Sequence, residues 1–77
     1  MSNILIIGAN RGLGLEFAKQ YSELGHHVFA TTRDKSKSDQ LVAIANTTVL
    51  ELDLNEDISI DRFIDEMSSI KIDILSP

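Results

Sequence analysis

The sequence predicts a three-layer α/β fold, with four parallel strands in the order 3-2-1-4 joined by three crossover helices. Two observations lead there. Short apolar runs, read as strands buried on both faces, alternate with segments whose apolar residues recur every three or four positions, read as helices. At the first change from one pattern to the other, three of the chain's four glycines fall within seven residues.

The run Ile4-Leu5-Ile6-Ile7 predicts the first strand. Gly8 to Gly12 interrupts it. From Leu13 onward, Leu13, Phe17, Tyr21 and Leu24, with Ala18 beside them, predict one face of a helix. Gly25 stands where a left-handed residue would end that helix. A second strand is expected at about residues 27–31, then a polar loop over 33–38. A short second helix over residues 38–45 would bury Leu41, Ile44 and Ala45 and stop at Asn46. Thr48-Val49-Leu50-Glu51-Leu52 predicts the third strand. Asn55 or Asp57 can cap a third helix facing the sheet with Ile60, Phe63, Ile64 and Met67. Ile72-Asp73-Ile74-Leu75 predicts the fourth strand, and residues 1–77 read as a single domain without repeats or linkers.

Composition narrows the function classes. The net charge is -5, and the seven Lys and Arg residues are scattered, which argues against nucleic-acid and anionic-membrane binding. With no cysteine, disulfides and thiolate zinc sites are excluded. No apolar stretch approaches the roughly 18 residues of a membrane span, and the short run after Met1-Ser2-Asn3 lacks the features of a signal peptide, so a cytoplasmic protein is expected.

The chemistry lies in Gly8-Ala9-Asn10-Arg11-Gly12-Leu13-Gly14. Between a buried strand and an amphipathic helix, this G-x-x-x-G-x-G spacing predicts a phosphate-binding turn of the Rossmann type. Gly8 permits the tight turn, Gly12 removes a side chain that would hold a pyrophosphate off the backbone, and Gly14 lets the helix approach the sheet. The free amides and dipole of the helix N-terminus would face the phosphates. The bland alternative is a turn that uses glycine for geometry alone. A P-loop is excluded, because no Gly-Lys-Ser/Thr follows to serve terminal phosphates and magnesium.

The position near the end of the second strand where an NAD-preferring unit carries Asp or Glu is Thr32, and Arg33 follows it. A guanidinium there can hold a 2′-phosphate through paired charged hydrogen bonds, which a carboxylate would repel. Arg11, inside the turn, is expected nearby, so the residues favour NADP(H) over NAD(H). Asp34 could pair with Arg33 and blunt the preference.

Ile-Gly-Ala-Asn-Arg-Gly-Leu-Gly-Leu-Glu-Phe, followed by Ala-Thr-Thr-Arg-Asp, resembles the start of short-chain dehydrogenases/reductases, most closely the group of C-factor and sniffer-type carbonyl reductases. The resemblance runs along all 77 residues but only about the first third of a complete member. It implies a partial Rossmann domain, truncated before the catalytic residues, in which Gly8, Asn10, Arg11, Gly12, Leu13, Gly14, Thr32, Arg33, Asp53 and Leu54 hold NADP(H). Arg11 and Arg33 match the pair that holds the 2′-phosphate in NADP-dependent members, and Asp53, with the Leu54 backbone, matches the contact to adenine. Asp53 also suits a turn before the third helix. One position departs: Ile7 stands where the family usually has Thr, which predicts weaker ordering of the turn and weaker nucleotide affinity.

The resemblance also implies hydride transfer to a carbonyl by a Ser and a Tyr-x-x-x-Lys pair. The single tyrosine, Tyr21, has Gly25 four residues on, and no Asn-Asn-Ala-Gly follows the fourth strand. No catalytic residue is therefore assigned, and a stand-alone nucleotide module or a non-functional remnant remain alternatives to part of a reductase. His26 and His27, being adjacent, would point to opposite faces of a strand and cannot share a metal. The acidic residues from Glu51 to Glu66 read as a solvated helix face, and no metal site is expected. An unpaired fourth-strand edge and a partly bare sheet face predict a homo-oligomer.

Overall fold

The computed structural model describes residues 1–76, and Pro77 lies outside them. The elements follow in the expected order: β1 (Asn3–Ile6), α1 (Gly12–Glu23), β2 (His27–Thr32), a single 3-10 turn (Lys35–Lys37), α2 (Asp39–Val42), β3 (Thr47–Glu51), α3 (Asp57–Met67) and β4 (Ile74–Ser76). All pairings are parallel, in the order β3-β2-β1-β4. Ile4 pairs with Val28 on one side and Ile74 on the other, so β1 lies at the centre of the sheet, and Ile4 and Ile6 are fully buried.

One apolar cluster joins the sheet to the first two helices. Ile4, Ile6, Val28 and Ala30 from the strands meet Leu15 and Ala18 from α1 and Leu41 from α2, with Phe17, Tyr21, Ile44 and Val49 packed around them. Ala18, Phe17 and Tyr21 of the expected α1 face thus meet the core, Leu15 joins them, and the two ends of the expected face do not. Leu13 and Leu24 are about 70% exposed, at 69% and 71%. Leu13 stands in the first turn beside the glycine loop, and Leu24 is already the C-cap, so neither reaches the sheet.

The end of α1 is built as the sequence implies. Gly25 has φ +88°, its amide donates to the Ser22 carbonyl, and the His26 amide donates to the Tyr21 carbonyl. This paired closure satisfies two carbonyls of the last turn and reverses the chain into β2. The second helix is shorter than expected, ending at Val42 with Ala43 as its C-cap, and Asn46, with φ 54°, instead lies in the left-handed region at the turn into β3.

The N-terminus of α3 differs from the expectation. Its N-cap is Glu56, without a side-chain capping bond, and neither Asn55 nor Asp57 caps it. The Asn55 amide donates to the Asp53 carboxylate in the turn before the helix, which starts at Asp57. α3 lies against β3 and contributes no buried residue: Ile60, Phe63 and Met67 are half-buried, and Ile64 is exposed. On β4, Ile74 and Leu75 are exposed as well. The second face of the sheet is thus covered only in part.

Candidate functional site

Everything the sequence points to gathers where β1, β2 and β3 end. The backbone after β1 turns through Gly8 at φ +73° and Gly12 at φ +62°, conformations that disfavour any residue with a Cβ. The space around both is open: a Cβ at either would meet nothing within 4 Å. Gly14 is different. Its Cβ would fall 2.5 Å from the Gly8 carbonyl oxygen and 3.0 Å from Ala9 Cα, so the missing side chain is what lets α1 rest on the turn. The three glycines hence serve two purposes, left-handed backbone at the first two and close approach at the third.

Arg11 is the N-cap of α1 in extended conformation, with no capping bond from its side chain and no acidic residue in the first turn. The amides of that turn are left to face a ligand or solvent, the arrangement in which a helix N-terminus receives an anion.

The turn is tied down by a residue the sequence reading did not select. Thr31 is buried, its Oγ1 accepts from the Gly8 amide at 2.9 Å, and its carbonyl accepts from the Ala9 amide at 2.8 Å. Ile7 costs the turn a hydroxyl from its own strand, but Thr31 on β2 supplies one across the sheet. The signal for it was faint: the sequence singles out Thr32 for its place before Arg33, and only the register shows that the Thr31 hydroxyl meets the glycine turn.

Two clefts open beside the turn. The first, about 310 Å³, is lined by Gly8, Asn10, Arg11, Thr32, Arg33, Asp34 and Lys37. It brings together five of the expected residues, both arginines among them, and adds a third cation, Lys37. The sequence predicts a polar loop over residues 33–38. Instead, Asp34 caps a 3-10 turn: its Oδ1 accepts from the Ser36 amide at 3.0 Å and the Ser36 hydroxyl at 2.6 Å. That turn folds Lys37 back toward the cleft. The Ser36 hydroxyl, then the Ser36 amide, hold the Asp34 carboxyl below its ordinary range, with a smaller contribution from Lys37. The Asp34 carboxylate thus makes its hydrogen bonds to Ser36 rather than to Arg33.

The second cleft, about 190 Å³, is lined by Ile7, Gly8, Thr31, Arg33, Leu52, Leu54 and Asn55. Gly8 and Arg33 border both clefts, making them neighbouring compartments. Leu54 lines the second, while Asp53 is not in its wall. The Asp53 carboxylate accepts from the Asn55 amide at 3.0 Å, and its own amide donates to Ser59 Oγ at 2.8 Å. This is the turn role foreseen for Asp53. Gly12, Leu13 and Gly14 lie outside both cleft walls and shape the turn beside them.

Residues 2–76 match the family model described as short chain dehydrogenase. The chain belongs to that family. Among curated relatives, the short chain dehydrogenase resG of Aspergillus sclerotiorum is 40% identical over 92% of this chain and 23% of its own length. The chloroplastic protochlorophyllide reductase of Pisum sativum is 36% identical over 95% of this chain and 20% of its own. Among solved structures, a carbonyl reductase from Pseudomonas aeruginosa PAO1 in complex with NADP superposes with a TM-score of 0.84 at 34% identity, over 97% of this chain and 36% of that one. Salutaridine reductase from Papaver somniferum gives a TM-score of 0.83 at 27% identity, over 97% and 29%. This chain therefore spans about a quarter or less of the curated relatives' length and about a third of the solved ones. Four parallel strands in the order 3-2-1-4 form the opening portion of the short-chain dehydrogenase Rossmann fold. No helix among the described residues is long and apolar enough to cross a membrane.

Proposed function

We propose that this chain is the NADP(H)-binding portion of a carbonyl-reducing short-chain oxidoreductase, of the C-factor and sniffer-type group. The observation that carries the reading is the cleft where Arg11, Arg33 and Lys37 surround an opening next to Gly8. In this assignment the pyrophosphate lies along the Gly8–Gly14 turn, against the uncapped amides of α1. The 2′-phosphate lies between Arg11 and Arg33, with Asn10 and Thr32 on the cleft wall. The adenine occupies the apolar compartment at Leu52 and Leu54, with Asp53 shaping its entrance through the Asn55 turn. Open space at Gly8 and Gly12 is what close approach of a phosphate requires.

The nucleotide supplies a hydride when bound; this chain's residues bind and orient it. Neither the Tyr-x-x-x-Lys pair nor a Ser that would orient a carbonyl is assigned within the 77 residues, so the chain carries out no chemical step by itself in this reading. We further propose that residues 1–77 fold as one domain in the cytoplasm. Exposed Ile64, Ile74 and Leu75 support self-association through the β4 edge or the half-covered sheet face.

The test is fluorescence titration of the chain with NADPH, with NADH as control. NADPH should bind at least about tenfold more tightly, as expected of charged hydrogen bonds to the extra phosphate. Arg33→Ala should remove most of that preference and leave NADH affinity nearly unchanged. Equal affinity for both nucleotides would refute the 2′-phosphate assignment, and binding of neither would make the chain a remnant. Sedimentation as a stable monomer at micromolar concentration would count against self-association.

A further inference from the structure

A carboxylate in the wall of a phosphate cleft is a liability, and Asp34 is one. It is adjacent to Arg33 and shares the cleft with Arg11, Arg33 and Lys37. Left to itself, it would draw the Arg33 guanidinium away from an incoming phosphate and repel that phosphate directly. The structure shows where its charge is held instead. Oδ1 accepts two hydrogen bonds, from the Ser36 hydroxyl at 2.6 Å and the Ser36 amide at 3.0 Å, both within the 3-10 turn. The same turn is closed by the Lys37 amide donating to the Asp34 carbonyl at 3.1 Å and the buried Ser38 hydroxyl donating to the Lys35 carbonyl at 2.6 Å.

We infer that Ser36 is a specificity-determining residue that never touches the nucleotide: by holding the Asp34 carboxylate in the turn, it keeps Arg33 and Lys37 available to a 2′-phosphate. The inference rests on the NADP(H) reading and names a device that sets the preference at that same site. Two features make Ser36 the controlling group. Its hydroxyl is the only side-chain donor to the Asp34 carboxylate among the described residues, and it makes the shorter of the two bonds. The Ser36 side chain is exposed, so its removal leaves the core untouched. Asp34 also bonds favourably to Ser36 as an anion, and Lys37 adds attraction, so the carboxylate stays charged and its placement is what matters.

Binding of NADPH and NADH should be compared in the wild-type chain, Ser36→Ala, Ser36→Thr and the double variant Ser36→Ala with Asp34→Asn. Ser36→Ala keeps the backbone bond and frees one side of the carboxylate, so NADPH affinity should fall by roughly threefold, the scale of one displaced surface charge. NADH affinity should not move, which separates this role from general damage to the fold. Ser36→Thr restores the hydroxyl and should restore NADPH affinity. Asp34→Asn in the Ser36→Ala background removes the repelling charge and should restore it as well. A wild-type preference for NADPH that Ser36→Ala leaves intact overturns this inference alone. Equal loss for both nucleotides also overturns it, showing a structural role. A wild type without any preference overturns the NADP(H) reading and this inference with it.

Discussion

Replacing Gly14 with alanine sets two effects of known size against each other. Gly14 is the third residue of α1, and glycine inside a helix costs about 1 kcal/mol relative to alanine, so propensity alone favours the substitution. Packing opposes it. The new Cβ would lie 2.5 Å from the Gly8 carbonyl oxygen and 3.0 Å from Ala9 Cα, and both neighbours are backbone. Neither can rotate away as a side chain would. Relief requires α1 to withdraw from the turn by somewhat under about 1 Å, to reach ordinary contact distance. Overpacking of this kind costs about 1–3 kcal/mol, and backbone on both sides places it at the upper end. The net expectation is a loss of about 2 kcal/mol, large beside the roughly 4–12 kcal/mol expected for a chain this size. In urea unfolding followed by far-UV circular dichroism, the Gly14→Ala midpoint should fall with an unchanged slope. Thermal unfolding should shift down by roughly 10 °C. A variant as stable as the wild type, or more so, would show that propensity wins and that Gly14 is not a close-approach glycine. Gly12 offers the contrast. A Cβ there meets nothing, and the cost lies in φ +62°, so Gly12→Asn should be tolerated better than Gly12→Ala, since asparagine enters that region more readily.

Thr31→Val should destabilise by about 1–3 kcal/mol, because it leaves the Gly8 amide without its acceptor in a partly buried place. Urea unfolding checks the stability, and NADPH titration should show weaker binding as the turn loosens. The Asp34 carboxyl, held below its ordinary value of 3.8 by Ser36, should titrate below that value in carbon-detected NMR. Because its folded value is depressed, its contribution to stability is complete above that ordinary value and is lost as pH falls through the folded one. In Ser36→Ala the titration should move up; an unmoved curve would mean the hydroxyl bond does not hold the carboxylate. Gly25→Ala should cost about 1–2 kcal/mol through its φ of +88°, measured by thermal unfolding, with Gly25→Asn milder.

Much of this molecule can be read along the chain because its signals are local. The runs at Ile4–Ile7 and Thr48–Leu52 and the breaks at Gly8, Gly25 and Asn46 identify elements through side-chain shape and backbone sterics, and these act within a few residues. Parallel pairing follows from alternation and crossover handedness, and the order β3-β2-β1-β4 from the Rossmann-type reading of the glycine turn. The arginines at 11 and 33 could be placed near one another because both sit at fixed offsets from strand ends.

What the chain alone left open depends on contacts between distant segments. Ala18, Phe17 and Tyr21 face the core as the periodicity implies, but the first turn, seated close at Gly14, puts Leu15 rather than Leu13 against it. Thr31 rather than Thr32 serves the turn because strand register, a relation among β1, β2 and the loop, selects the hydroxyl that meets the Gly8 amide. Lys37 entered the cleft through the turn that Asp34 and Ser36 close. The sequence by itself determined the strand-and-helix alternation, the glycine turn and the cationic character of the site, all of them short-range consequences of residue type. Only the tertiary structure decided which hydroxyl orders that turn and which third cation joins the cleft, because each needs groups brought together by the folded sheet; the nearby carboxylate is held by a local turn to Ser36.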